Sequence, residues 1–420
     1  MQHTRLAHRT GLLLTMLVLA GAPLLGACID SVPATDGAVV DAWASDAAML
    51  DAGAVAPDAG RSDAGPDAGP PPGLEEAVQY WLDVGALRGV AALAADRDSR
   101  IVVTRGMATD TQPVDEHTLF QVASLSKTAA AALALSLAEE GRLDLDGPID
   151  DVLGLAVRHP VYPETPITTR MLLTHTSGLV DDFLDLAPFV SEGDPAIDLE
   201  TFTRTYVADP THWGAEPGTA RVYCNAGFGV LGHVLERAAG EDLRTLSLAR
   251  LFEPLALDGA GWFFGDVDTT RLAVPYAWDG RRYNALPQRG YAFYPASSWT
   301  VSLAGLERWL VAHRDDGVID GVRFLDAESV LATRTAQVPA LDAEQGLAWY
   351  QQRQGGRLWW GHGGSSYGTS AQMRYRPEDG RILVVISNSD AYIRSRFGAR
   401  AGADAIDAIL ARLDAELDAR

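Results

Sequence analysis

Lysine occurs once in the 420-residue chain, although lysine and arginine together number 34. That residue is Lys127, in the run Ser124-Leu125-Ser126-Lys127. An arginine guanidinium keeps its proton at any ordinary pH, whereas a desolvated lysine amine can release one near neutrality. Ser124 stands three residues before Lys127, and a run rich in alanine and leucine follows at 128–140. The spacing predicts that serine and lysine share one helix face, so that amine and hydroxyl meet. The start of a helix also favours developing negative charge. This is the arrangement of an activated serine nucleophile. A Ser-x-x-Lys tetrapeptide also arises by chance, so partner residues have to decide.

Two stretches offer such partners. One is Tyr223-Cys224-Asn225, and the other is His362-Gly363-Gly364-Ser365, which leads into an expected strand. Tyr223, as phenolate or hydroxyl, can relay a proton to a leaving group. Asn225 can orient Lys127 and bond a substrate amide. The plainer readings are a core aromatic for Tyr223 and a helix cap for Asn225. Whether Lys127 or Tyr223 acts as the base is open at this point. A competing pattern, Gly364-Ser365-Ser366-Tyr367-Gly368, matches the Gly-x-Ser-x-Gly nucleophile elbow. That elbow needs a later histidine and a helix immediately after the serine. No histidine follows His362, and residues 369–375 read as a strand, so Ser366 is rejected.

The elements that must hold these residues follow from periodicity. Residues 74–84 read as an amphipathic helix, and 89–94 and 100–105 as strands joined by a turn. Residues 150–260 are mainly helical in pattern, broken by proline-rich loops. Short strands are expected at 349–350, 358–360, 371–375 and 382–386, and a last helix at 401–417. Strands at both ends around a helical middle predict an α+β fold. Its antiparallel sheet is built from the two ends, flanked by helices, with a helical subdomain inserted.

With Ser124-x-x-Lys127, Tyr223-x-Asn225 and His362-x-Gly364 in this order, the chain resembles the penicillin-recognising serine hydrolases. Within them it is similar to the group of class C β-lactamases, D-Ala-D-Ala carboxypeptidases and related esterases. Leu172-Leu-Thr-His-Thr-Ser-Gly-Leu179 is similar to a segment recurring in that group. The resemblance covers roughly residues 75–415 and implies a β-lactamase/transpeptidase-like fold. It implies Ser124, Lys127, Tyr223 and Asn225 as catalytic residues. It also implies oxyanion donors on the backbone N–H groups of Ser124 and Ser365, with His362, Gly363 and Gly364 beside the substrate on an edge strand. Two departures stand out. His362 occupies the place where β-lactamases usually carry a lysine, which puts efficient β-lactamase action in doubt. Pro295-Ala-Ser-Ser298 replaces a common Pro-x-Gly-Gly. The nearby aromatics Tyr291, Phe293, Tyr294 and Trp299 either line an acyl pocket or pack in the core.

The ends of the chain carry other signals. Residues 1–28 read as an export leader: Arg5 and Arg9 precede an apolar run at 11–19, too short to span a membrane comfortably. The leader ends Leu24-Leu-Gly-Ala-Cys28, which resembles a bacterial lipobox, with Cys28 as the lipid attachment site. Ile29 rather than aspartate after it suggests the outer membrane. Residues 29–73 repeat Asp-Ala-Gly and hold eight aspartates against one arginine. They have nothing to bury and read as a disordered tether. The folded hydrolase domain is then 74–420.

Composition excludes several classes. A net charge of −22 argues against nucleic-acid binding. With Cys28 assigned to lipid, Cys224 alone builds neither a disulfide nor a metal cluster, and the nine histidines show no ligand spacing. The expectation is a monomeric, lipid-anchored envelope hydrolase. It would work through an acyl-enzyme on Ser124, without metal or cofactor, on small esters, peptides or β-lactams. The alternative from another class is a penicillin- or acyl-binding module that forms an adduct without turnover.

Overall fold

The computed structural model describes residues 69–420. The expected leader at 1–28, with Cys28, and residues 29–68 of the expected tether lie outside the described residues.

The chain enters through helix α1 (Leu74–Gly85) and the hairpin β1 (Gly89–Ala95) and β2 (Arg100–Gly106). It closes the same sheet with β3 (Tyr350–Gln354), β4 (Arg357–Ser366), β5 (Thr369–Arg376) and β6 (Arg381–Ser387). The order is β3-β4-β5-β6-β1-β2, antiparallel throughout. The expected architecture holds: the two ends of the domain meet where β1 pairs β6, Val90 facing Ser387 and Ala95 facing Ile382.

β1 explains why both faces of the sheet are covered. Every one of its seven residues is buried. Val90, Ala92 and Ala94 point to one layer, where they meet Leu383, Val385 and the terminal helix Ala401–Asp418. Ala91, Leu93 and Ala95 point to the other, larger core. A strand buried on both faces reads as a continuous apolar run, and its alanines let helices pack close on either side.

The larger core is organised by α2 (Ser126–Glu139), which has buried residues all round, from Ser126 and Lys127 to Leu137. Such a helix has no solvent stripe, and its alanines supply helix propensity and close approach together. The second central helix, α3 (Asn225–Ala239), packs against it.

Two expectations need correction. The strand expected at 358–360 is only the opening part of the ten-residue β4, whose glycines at 361, 363 and 364 mask its β pattern. β4 is also not the sheet's edge, because β3 lies outside it. Their pairing stops at Tyr350–Gly361, however, so residues 362–366 extend beyond the ladder on that side. A helix at Leu303–Arg314 and a short one at Ala391–Arg396 add to the expected elements.

Candidate active site

Ser124 sits in a single 3₁₀ turn, Ala123–Leu125, that leads straight into α2. The turn is strained: Ala123 has φ 48°, the left-handed region that costs a non-glycine residue roughly 1–2 kcal/mol. Neighbours hold it there. Val122 N–H donates to Trp299 O at 2.8 Å, and Ser126 Oγ bridges Ala123 O and Trp299 N–H at 2.5 and 2.9 Å. β4 runs past the turn so closely that a Cβ on Gly364 would lie 2.3 Å from Val122 O. Gly364 is therefore a packing requirement of the turn itself. A Cβ on Gly363 would lie 2.8 Å from Gln372 Nε2.

Lys127 is fully buried, and its Nζ lies 3.1 Å from Ser124 Oγ, 2.8 Å from Asn225 Oδ1 and 2.9 Å from Ala296 O. All three partners are neutral. Burial, opposed by the negative field of Asp181, lowers its pKa from 10.5 to about 7. The two fixed acceptors, Asn225 Oδ1 and Ala296 O, take the two N–H bonds of a neutral amine. The lone pair is then left facing the hydroxyl hydrogen of Ser124.

Asn225 is the first residue of α3, and the cap of that helix is Cys224, whose Sγ accepts from Gly227 N–H at 3.2 Å. The cap reading of Asn225 therefore gives way. Its Nδ2 faces Asp181 Oδ1 at 3.5 Å, and Asp181 Oδ2 accepts from Ala226 N–H at 2.7 Å. Asp181 thus orients the amide that holds Lys127, and burial raises its own pKa.

Tyr223 lines the same cavity as Ser124 instead of closing the core. Burial pushes its phenol well above its ordinary pKa, so at rest it holds its proton. Lys127 Nζ lies 4.8 Å from the centre of its ring. His362 is 2% exposed, with Nδ1 2.6 Å from Gly363 O. Burial and then the charge of Lys127 lower its pKa to about 3, so it is neutral at ordinary pH.

Ser124, Tyr223, Asn225, His362, Gly363, Gly364 and Ser365 all line one cavity of about 460 Å³. Lys127 stands behind it, reached through Ser124. The rejected Ser366 bonds Tyr291 OH at 2.9 Å and is followed by the strand β5. The aromatic cluster divides. Tyr291 and Phe293 face the cavity, while Trp299 stacks on Phe252 and Tyr294 packs edge-on to Phe263. Sequence reasoning missed Asp181, Ala296 and the role of His175. Ala296 contributes a carbonyl, which leaves no mark in a side-chain pattern. Among the described residues no cluster of three or more His, Cys, Asp or Glu could hold a metal ion.

A sequence model of the family described as Beta-lactamase matches residues 74–407. Penicillin-binding protein 4 of Amycolatopsis lactamdurans is 28% identical over 299 residues, 66% of this chain and 73% of that protein. Esterase EstB of Burkholderia gladioli is 32% identical over 182 residues, 39% of this chain and 43% of its own. Among solved structures, the penicillin-binding protein from Bacillus halodurans superposes with a TM-score of 0.64 at 24% identity. It covers 79% of this chain and 98% of its own, which shows the shared fold. The chain belongs to the β-lactamase family and is a serine hydrolase of the type that family shares with penicillin-binding proteins and esterases.

Proposed function

We propose that the protein hydrolyses small neutral esters or amides with an apolar acyl group, through an acyl-enzyme on Ser124. The observation that carries this is the contact of Lys127 Nζ with Ser124 Oγ at 3.1 Å, made by an amine whose other partners are all neutral. Lys127 takes the hydroxyl proton as Ser124 Oγ bonds to the acyl carbon. The backbone N–H groups of Ser124 and Ser365 receive the oxyanion. The proton passes from Lys127 through Tyr223 to the leaving oxygen or nitrogen as its bond to carbon breaks. Water then attacks the ester, giving its proton back along the same path, and Ser124 leaves reprotonated. With its phenol protonated at rest, Tyr223 is the relay and Lys127 the base.

The substrate reading rests on how β4 passes Ser124. His362, at one end, lies beside Tyr350 and Tyr223, with ring centres 5.0 and 6.4 Å away. Ser366, at the other end, bonds Tyr291. A leaving group has to meet Tyr223, so the acyl group points the other way, towards Leu186, Val190, Tyr291 and Phe293. A neutral His362 gives little attraction to a substrate carboxylate, which favours uncharged esters over penicillins.

Intact-mass spectrometry and turnover of p-nitrophenyl butyrate and benzylpenicillin test this together. An acyl adduct on Ser124, absent in Ser124→Ala, with steady turnover of the ester is expected. Adduct without turnover would identify a binding module, and faster turnover of the penicillin would overturn the substrate reading.

A further inference from the structure

The segment Leu172–Leu179 has no part in the chemistry above, yet one of its residues grips the stretch that carries Tyr223. His175 ends the turn after the short helix Thr169–Leu173 and has φ 60°. Its carbonyl accepts from Val222 N–H at 2.8 Å. Its Nδ1 accepts from Cys224 N–H at 3.2 Å. The residues on both sides of Tyr223 are therefore tied to one residue. Between these two bonds the imidazole lies against the Tyr223 ring, centres 4.3 Å apart and planes 32° from parallel. On its other flank it meets Phe228 of α3 at 5.3 Å. The side chain is 4% exposed. Because Nδ1 accepts an N–H, the ring proton is on Nε2, and the imidazole is neutral.

We infer that His175 is a positioning residue for the Tyr223 hydroxyl, holding the phenol where it can protonate the leaving group; this rests on the relay role proposed for Tyr223. The left-handed backbone is what aims carbonyl and side chain at the same strand of chain. Few side chains tolerate that conformation and also carry an acceptor close to the backbone. Asparagine does both, since Oδ1 occupies much the place of Nδ1 and the residue is at home at positive φ.

The effect of a misplaced phenol depends on the leaving group. An alkoxide needs a proton to depart, whereas p-nitrophenolate leaves without one. Ethyl butyrate and p-nitrophenyl butyrate share an acyl group and differ in that demand. Both esters give the same acyl-enzyme, so the leaving group is felt in acylation, which kcat/KM reads. In the purified full chain, His175→Gly should lower kcat/KM on ethyl butyrate by about 100-fold, the scale of loss for a catalytic group displaced by about 1 Å, and kcat/KM on p-nitrophenyl butyrate by only a few-fold. Tyr223→Phe should show the same split, and His175→Asn should restore ethyl ester turnover to within about tenfold of the parent. If the glycine variant does not fold, His175→Ala takes its place, since alanine already holds positive φ at 86, 123, 256 and 348. Equal losses on the two esters, beside a clear split in Tyr223→Phe, would overturn the role of His175. No split in Tyr223→Phe would remove the relay itself, and this inference with it. Persistent ester turnover in Ser124→Ala would instead sink the acyl-enzyme reading.

Discussion

Lys127 and Arg394, two of the cationic side chains buried in this domain, are accommodated in opposite ways. Arg394, in the short helix Ala391–Arg396 beside the sheet, lies 2.9 Å from the carboxylate of Asp390, with both side chains under 8% exposed. Its Nη2 also donates to Gly85 O and Ala86 O at 3.0 and 3.1 Å. Lys127, at the head of α2, meets only a hydroxyl, an amide oxygen and a carbonyl. Burying a charge is tolerable when it is paired; unpaired, the group gives up its proton instead. Arg394, paired with Asp390, fastens the terminal elements. Lys127 sits where its charge is barely held, and a barely held proton is what a base needs.

The contrast is tested most severely at Lys127. Lys127→Arg keeps the cation and removes the basicity, so activity on p-nitrophenyl butyrate should fall by about 1000-fold or more while the chain remains folded. Circular dichroism and turnover measured on one preparation check this; a variant of parental activity would show that Lys127 is not the base.

The reverse outcome is expected at Arg394. Arg394→Met leaves Asp390 buried without its partner, a loss of about 3–5 kcal/mol in unfolding free energy by urea titration. Turnover per folded molecule should stay within a few-fold of the parent, because Arg394 touches none of Ser124, Lys127 or Tyr223. Unchanged stability would mean that the pair does not fasten the helix to α1.

The same distinction shows why some features are legible in the amino-acid sequence and others are not. The proposed nucleophile and base are three residues apart, across the turn that opens α2, which is a local fact, and Ser124 and Lys127 announce it by type. The two-ended sheet is also local, because most of its strands carry their own apolar run. Residues that act across the fold leave weaker marks. Asp181 is one of many aspartates until α3 brings Asn225 and Ala226 against it. His175 is visible only as part of a recurring segment, since its grip on Val222 and Cys224 spans more than forty residues. The strand character of β4 is masked by glycines, one of which is there because the Ser124 turn packs on Gly364. Function at the site obscures the local pattern that would have predicted its scaffold.

The smallest effect is the finest test of how Lys127 is tuned. The base role proposed for Lys127 makes the neutral amine the active form, so kcat/KM should fall as pH drops through about 7 and Lys127 takes up its proton. Asp181 opposes burial at this site, because its negative field favours the ammonium. Asp181→Asn removes that field, and an asparagine Oδ1 can still accept from Ala226 N–H. The ammonium becomes less favourable, the pKa of Lys127 falls, and the neutral amine persists to lower pH. The acid limb of the kcat/KM profile should therefore move towards acid, with less than about a tenfold change at its plateau. A limb moving towards alkali would mean that Asp181 acts on Lys127 through the orientation of Asn225, not through its charge. An unmoved limb would mean that the group titrating there is not the lysine.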